Sequence, residues 1–156
     1  MKTLLLFALL SLTFNAFGNN FPLSPDLRLT PGALCTTPSE FRYPEQIPYC
    51  AREVHPRLKD QVFLNYRQLG YSLSGDRSDY KVDHFIPLCL GGSNDITNLW
   101  PQNQMIYEQT DALEQVACDV LTQGRISQYD VVRLVTDAKM DLRKVPETIK
   151  LLRSLK

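Results

Sequence analysis

The distribution of proline divides this chain into two parts that cannot fold in the same way. Seven of its ten prolines lie between Pro22 and Pro56. Proline has no backbone N–H and clashes with the preceding helical turn, so this density disfavours helices and central strands. We therefore predict a Pro-rich irregular segment over residues 19–55. The regular elements should lie in residues 56–156.

Hydrophobic periodicity in residues 56–156 predicts several helices around one short strand pair. Apolar residues recur at helical spacing in three stretches, and Gly70 and Gly124 are natural helix stops. Ser127 is a suitable N-cap, and Pro87 should end a strand. The predicted elements are a helix at 56–69, strands at 80–86 and 98–100, and helices at 104–121, after 127 and from 146. This pattern indicates a single domain of the α+β class.

The first eighteen residues have the composition of a secretory signal peptide. A lysine at position 2 precedes an apolar run over residues 3–14, which is too short to span a bilayer comfortably. Ala16 and Gly18 supply the small residues of a cleavage site. We predict cleavage after Gly18 and a secreted or periplasmic protein without membrane contact; the alternative is an uncleaved anchor.

Four cysteines follow this leader, and their spacing does not match a zinc site. An even number of cysteines in an exported chain predicts disulfide bonds. Three pairings are possible on sequence alone. We favour Cys35–Cys50, which would staple the Pro-rich segment, and Cys89–Cys118, which would tie a loop to a helix.

Asp83 and His84 are the residues best suited to chemistry. A carboxylate binds a hard divalent cation such as Mg²⁺, and a histidine can accept a proton from water near neutral pH. Neighbouring side chains of a regular strand point to opposite faces. The two can share one site only if the strand ends or bends there, and Pro87 makes this plausible. His55 is an isolated histidine to which we assign no role.

The stretch that follows, "DHFIPLCLGGSNDITNLWPQ" (83–102), closely resembles the HNH endonucleases, which have the ββα-metal fold. It is most similar to small exported members with a "DHxIPLxxGGSND…NLWPQ" pattern. The upstream "RYPEQIPYCAREV" and the later Leu113-Glu114 also resemble that branch. The resemblance implies a ββα-metal core with a Gly-rich loop formed by Gly91 and Gly92, within an HNH nuclease domain over 56–156.

The same resemblance implies a role for each motif residue. Asp83 would bind the metal, His84 would be the general base, and Asn98 would be the middle residue that pins the loop. The cofactor would be a divalent metal, Mg²⁺ or Mn²⁺. A second ligand is expected about nine residues after Asn98, but Tyr107 stands there and is a poor ligand for Mg²⁺. Glu108 and Asn103 both flank the apolar stripe of the helix. We choose Glu108 first, because a carboxylate binds a hard cation best, and Asn103 second.

Two other acids of this helix rank lower by the same reasoning. The helical phase places Asp111 almost opposite the apolar stripe, and Glu114 lies further along the helix.

The implied substrate is nucleic acid, DNA and possibly RNA. The chain has no net charge and no motif that reads bases, so little sequence specificity is expected. Arg52, Lys59, Lys81 and the basic residues after 138 are candidate phosphate contacts. The alternatives are a catalytically weak nucleic-acid-binding protein on an HNH scaffold, or a toxin-type nuclease with an inhibitor partner. No obligate protein partner is evident from the sequence.

Overall fold

The computed structural model describes residues 21–73 and 75–156; the predicted signal peptide lies outside these residues. The described part of the chain contains four α-helices and two antiparallel strand pairs, which confirms the α+β class. None of its helices is long and apolar enough to cross a lipid bilayer. The elements are β1 (Glu40–Arg42), β2 (Ile47–Tyr49), α1 (Pro56–Gln68), β3 (Tyr80–His84), β4 (Leu99–Asn103), α2 (Gln104–Thr122), α3 (Gln128–Met140) and α4 (Val145–Arg153).

The sequence predicted a wholly irregular Pro-rich segment, but this segment contains one regular element. β1 and β2 form a small hairpin in which Phe41 lies opposite Pro48. In a ribbon of two strands each strand is an edge, so a proline can occupy a position where no ladder N–H is needed. Tyr43 and Gln46 adopt positive φ angles in the connecting turn. The hairpin packs against the loop that follows β3, since Ile47 lies in the same apolar cluster as Leu90.

Both predicted disulfides are confirmed. Cys35–Cys50 closes the loop that contains the β1–β2 hairpin, and Cys89–Cys118 joins the loop after β3 to α2. No free cysteine remains among the described residues. Each bridge removes freedom from the unfolded chain, a contribution that is typically about 2–4 kcal/mol.

The β3–β4 hairpin is the centre of the fold. Its register places Asp83 opposite Trp100 and His84 opposite Leu99. Trp100 is completely buried, and α1 packs against β4. β3 ends at His84, earlier than predicted. Beyond it, Phe85 N still donates to the backbone oxygen of Asn98 at 2.8 Å, but Ile86 N donates to the Asn98 side-chain oxygen at 2.9 Å. β4 is longer than predicted and runs directly into α2.

The three C-terminal helices form the larger apolar core. α2 packs against α3 and α4, and it buries Leu113, Val116 and Val120 as the periodicity predicted. In the first turn of α2 the buried residue is Ile106, at 2% exposure, whereas Met105 is 58% exposed. Ser127 caps α3 by accepting a hydrogen bond from the backbone N of Asp130 at 3.1 Å.

Candidate functional site

Asp83 and His84 line one small cleft of about 170 Å³ at the end of β3. Both side chains are buried, with residue exposures of 6% and 2%. Strand pairing stops at His84, so the two neighbours can contribute to one site despite the alternation of side chains along a strand. The remaining walls of the cleft are Arg52, Pro87, Leu88, Cys89 and Glu114.

A group of three acids adjoins this cleft. Asp83 on β3 meets Asp111 and Glu114 of α2, and each contributes one carboxylate oxygen within 4.8 Å of the other two. α2 follows β4 without a loop, so the β3–β4 hairpin holds the start of the helix beside the end of β3. Asp111 and Glu114 are three residues apart and therefore share one side of the helix.

Two lysines balance most of this negative charge. Lys81 Nζ lies 2.5 Å from Asp111 Oδ1 and 3.3 Å from Asp83 Oδ2. Lys139 on α3 is completely buried, and its Nζ lies 2.5 Å from Glu114 Oε1. The same ammonium donates to the backbone oxygen of His84 at 2.7 Å. Three carboxylates and two ammonium groups leave a formal charge of −1.

The surroundings shift the pKa values of these groups in different directions. Burial opposes ionisation of Asp83, but the ammonium groups of Lys139 and Lys81 outweigh it and hold the pKa of Asp83 below its usual value. Burial raises the pKa of Glu114, which Lys139 only partly offsets. Burial also opposes the charge of Lys81, but the carboxylates of Asp83 and Asp111 outweigh it and raise its pKa.

These residues fit a hard divalent cation. Carboxylate oxygens are the ligands that Mg²⁺ and Mn²⁺ prefer, and the formal charge of the cluster is still negative. Asp83 Oδ2 is buried and has no hydrogen-bond partner of suitable geometry; the nearest cation that the structure records for it is Lys81 at 3.3 Å. A cation held by Asp83, Asp111 and Glu114 would sit directly beside His84.

The side chain of His84 has an uncharged hydrogen-bond partner. Its Nε2 lies 3.1 Å from Oδ1 of Asn94, whose Nδ2 donates to the Ala51 carbonyl at 2.7 Å. Burial lowers the pKa of His84, although Asn94 and Asp83 oppose the shift. A buried imidazole with a lowered pKa is neutral at pH 7 and can accept a proton.

Asn98 fixes the loop that carries this side of the site. Its side-chain oxygen accepts from Ile86 N, and its Nδ2 donates to the Ile86 and Ser93 carbonyls, each at 2.9 Å. Gly92 allows the close approach, because a Cβ atom there would lie 1.9 Å from the Ile86 oxygen. The Asn98 amide therefore holds this loop together with the Cys89–Cys118 bridge.

The other residues predicted from the sequence are distributed unevenly. Arg52 lines the cleft and Lys81 lies in the acidic group, whereas Lys59 lies on α1 with no recorded contact to the site. The Glu108 carboxylate is outside the acidic group and accepts from Gln104 at 2.7 Å. Asn103 is the N-cap of α2 and accepts from Met105 N at 3.1 Å.

Two expectations from the sequence are corrected by these positions. Asp111 does face away from the apolar core, with its side chain 54% exposed, but it faces Lys81 and Asp83 across the edge of the hairpin. Lys139, counted among the basic surface residues after 138, is buried and cannot contact a phosphate from there. The spacing of Lys81 and Asp83, which places both on one strand face, and of Asp111 and Glu114 could have indicated this cluster.

The comparisons with known proteins leave the chain without an assigned family. No protein-family model, no curated protein and no solved structure matches it.

Proposed function

We propose that this protein is a metal-dependent endonuclease that hydrolyses phosphodiester bonds of nucleic acid with little sequence specificity. The proposal is carried by the three acids Asp83, Asp111 and Glu114 beside a buried, neutral His84 at one cleft. β3, β4 and α2 follow one another as strand, strand and helix, which is compatible with the ββα-metal core that the sequence resembles. The chain's two disulfides support secretion or a periplasmic location.

Each side of the site has its own task in this reaction. A divalent cation held by the three acids would polarise a phosphoryl oxygen and offset charge on the leaving oxygen. His84 takes a proton from water, whose oxygen bonds to phosphorus as the ester P–O bond breaks. The leaving oxygen takes its proton from solvent. Arg52, exposed at the rim of the cleft, contacts a phosphate of the substrate.

A second candidate is a nucleic-acid-binding protein without catalytic turnover. The observation in its favour is the position of Lys81, whose ammonium already contacts Asp83 and Asp111. An internal cation in this position would make a metal dispensable for charge balance. Such a protein would bind nucleic acid and leave it intact with or without added metal.

The two candidates differ in one assay. The oxidised chain without residues 1–18 is incubated with supercoiled plasmid, single-stranded DNA and RNA, in Mg²⁺, Mn²⁺ or EDTA. The endonuclease should nick the plasmid only with metal, and His84→Ala should lower turnover by about 10² or more. Binding of intact plasmid by the wild-type protein, with no cleavage in any metal, would favour the second candidate.

The chain supplies a matched control for the histidine variant. His55 is the other histidine, and it caps α1 by accepting from Arg57 N at 3.2 Å. Asparagine is a favoured N-cap residue, so His55→Asn should keep the helix start. This variant should cleave at the wild-type rate.

A further inference from the structure

The Oδ1 and Nδ2 atoms of Asn94 have different neighbours, and these neighbours determine the orientation of its side-chain amide. Its Nδ2 lies 2.7 Å from the backbone oxygen of Ala51, an atom that can only accept a hydrogen bond. The amide nitrogen must therefore face Ala51. The opposite orientation would bring two acceptors, Oδ1 and the carbonyl oxygen, together.

This orientation determines the proton position on His84. With Nδ2 committed to Ala51, Oδ1 of Asn94 faces His84 Nε2 at 3.1 Å. A carboxamide oxygen only accepts, so Nε2 must carry a proton. This holds in either charge state of the ring, because the imidazolium ion has protons on both nitrogens. In the neutral ring Nδ1 is then the nitrogen with a free lone pair, and no hydrogen bond to Nδ1 is found within residues 21–73 and 75–156.

Ala51 is itself held by the N-terminal segment. It follows Cys50, which is bonded to Cys35, and its backbone N donates to Ser39 Oγ at 3.3 Å. A backbone carbonyl can only accept a hydrogen bond, so the Ala51 carbonyl always requires the Nδ2 donor of Asn94. The Ala51 carbonyl therefore determines the orientation of the Asn94 amide, and that amide determines the proton position on His84.

From these contacts we propose that Asn94 is a positioning residue that holds His84 as its Nε2–H form, so that Nδ1 is the atom that takes the proton from the attacking water. The inference rests on the proposed function for the role of Nδ1 in the reaction. The placement of the proton on Nε2 does not depend on it. Partners that fix the tautomer and orientation of metal-binding histidines are typically worth about 10- to 100-fold, and we expect the lower end of that range for the base His84.

Nuclear magnetic resonance of the oxidised, ¹⁵N-labelled protein, recorded above the titration range of histidine, tests this directly. Long-range ¹H–¹⁵N correlations should place the His84 proton on Nε2, with Nδ1 unprotonated. The hydrogen bond to Asn94 should make that proton exchange slowly with solvent. Asn94→Ala should abolish the slow exchange and lower the cleavage rate at saturating substrate by about 10-fold.

The matched control is Asn65→Ala, because the Asn65 side chain on α1 accepts from Gln61, one turn earlier, and lies outside the site. It should leave both the His84 resonances and the cleavage rate unchanged. A His84 proton on Nδ1, or an Asn94→Ala variant with unchanged proton exchange and unchanged rate, would overturn the inference. If the wild-type protein has the Nε2 proton but cleaves nothing, the proposed function fails and the positioning of His84 by Asn94 stands.

Discussion

Asp83 and His84 are neighbours in the sequence, but their side chains lie in opposite kinds of surroundings. Asp83 belongs to a charged cluster in which Lys81 and Lys139 face three carboxylates. His84 is held by the uncharged amide of Asn94, on a loop that Asn98 fixes. The net charge of the Asp83 cluster changes when a cation binds. The hydrogen bonds of Asn94 and Asn98 depend on the direction of each amide group and do not change with the charge. The two sides should therefore respond differently to substitution and to metal.

The largest effect should come from removing the buried cation on the charged side. Lys139→Met deprives Glu114 of its partner at 2.5 Å and the His84 carbonyl of its donor. Breaking a buried ion pair from one side costs about 3–5 kcal/mol, and we expect the lower end because the Glu114 side chain is still 20% exposed. Urea denaturation without added metal measures the loss in the free energy of unfolding.

An exposed lysine pair gives the control for that measurement. Lys156 lies 2.7 Å from Asp119, and both side chains are partly exposed. Lys156→Met should change the free energy of unfolding by less than about 1 kcal/mol. Adding Glu114→Gln to Lys139→Met should recover part of the lost stability, since the uncompensated charge is then removed. Equal stability of Lys139→Met and the wild type would contradict the charged-cluster description.

On the amide side, the expected loss of stability is somewhat smaller. Asn98→Ala leaves the N–H and carbonyl of Ile86 and the carbonyl of Ser93 without their partner. Leaving a buried polar group unsatisfied costs about 1–3 kcal/mol, and these groups share one loop that can partly relax. We expect a loss of about 2–3 kcal/mol. Thermal and urea denaturation of Asn98→Ala beside Asn65→Ala would measure it, and a loss no greater than that of the control would show that the loop does not depend on Asn98.

Metal affinity distinguishes the acids that the sequence favoured from those that the fold brings together. Asp111→Asn should weaken Mn²⁺ binding by about 10-fold or more, because it removes one of the three proposed carboxylate ligands. Glu108→Gln should leave the affinity unchanged, since Glu108 pairs with Gln104 outside the cluster. Calorimetric titration with Mn²⁺ decides between them; the reverse ranking would restore Glu108 as the ligand.

The smallest expected effect has the opposite sign. Lys81→Met removes an ammonium that competes with a bound cation for Asp83 and Asp111, so Mn²⁺ should bind several-fold more tightly. The gain corresponds to about 1 kcal/mol for a partly exposed charge. Arg67→Met removes a positive charge from the last turn of α1 and should leave the affinity unchanged. Weaker binding by Lys81→Met would mean that Lys81 supports the metal site instead of competing with it.

The sequence predicted the local elements better than the site. The sequence left three disulfide pairings open, and the two favoured pairs are present. The helix starts at Pro56 and after Ser127 follow from capping, and both are confirmed. These signals are encoded within a few residues of where they act. Periodicity predicts which face of α2 is apolar, but it does not predict which residues of other elements contact the helix beside that face.

The grouping of Asp111 and Glu114 with Asp83 and the contact of Asn94 with His84 were missed for this reason. Asp111 meets Asp83 only because β4 leads into α2 at a particular angle, and Asn94 meets His84 only because Ala51 lies behind it. Local spacing shows only which residues share one face of a single element, and both of these contacts join different elements. Lys139 was counted as a surface charge because its burial depends on how α3 packs against α2.

The burial of Lys139 has a consequence for how the protein is made. Lys139 lies 55 residues after His84, so on the ribosome the β3–β4 hairpin and α2 emerge well before it. A nascent chain that ends before α3 has both Glu114 and the His84 carbonyl without their buried donor. Synthesis proceeds from the N-terminus, so the complete cluster can assemble only after the chain has been translated through α3. Premature termination would therefore release fragments that contain Asp83 and His84 but lack the cation that organises them.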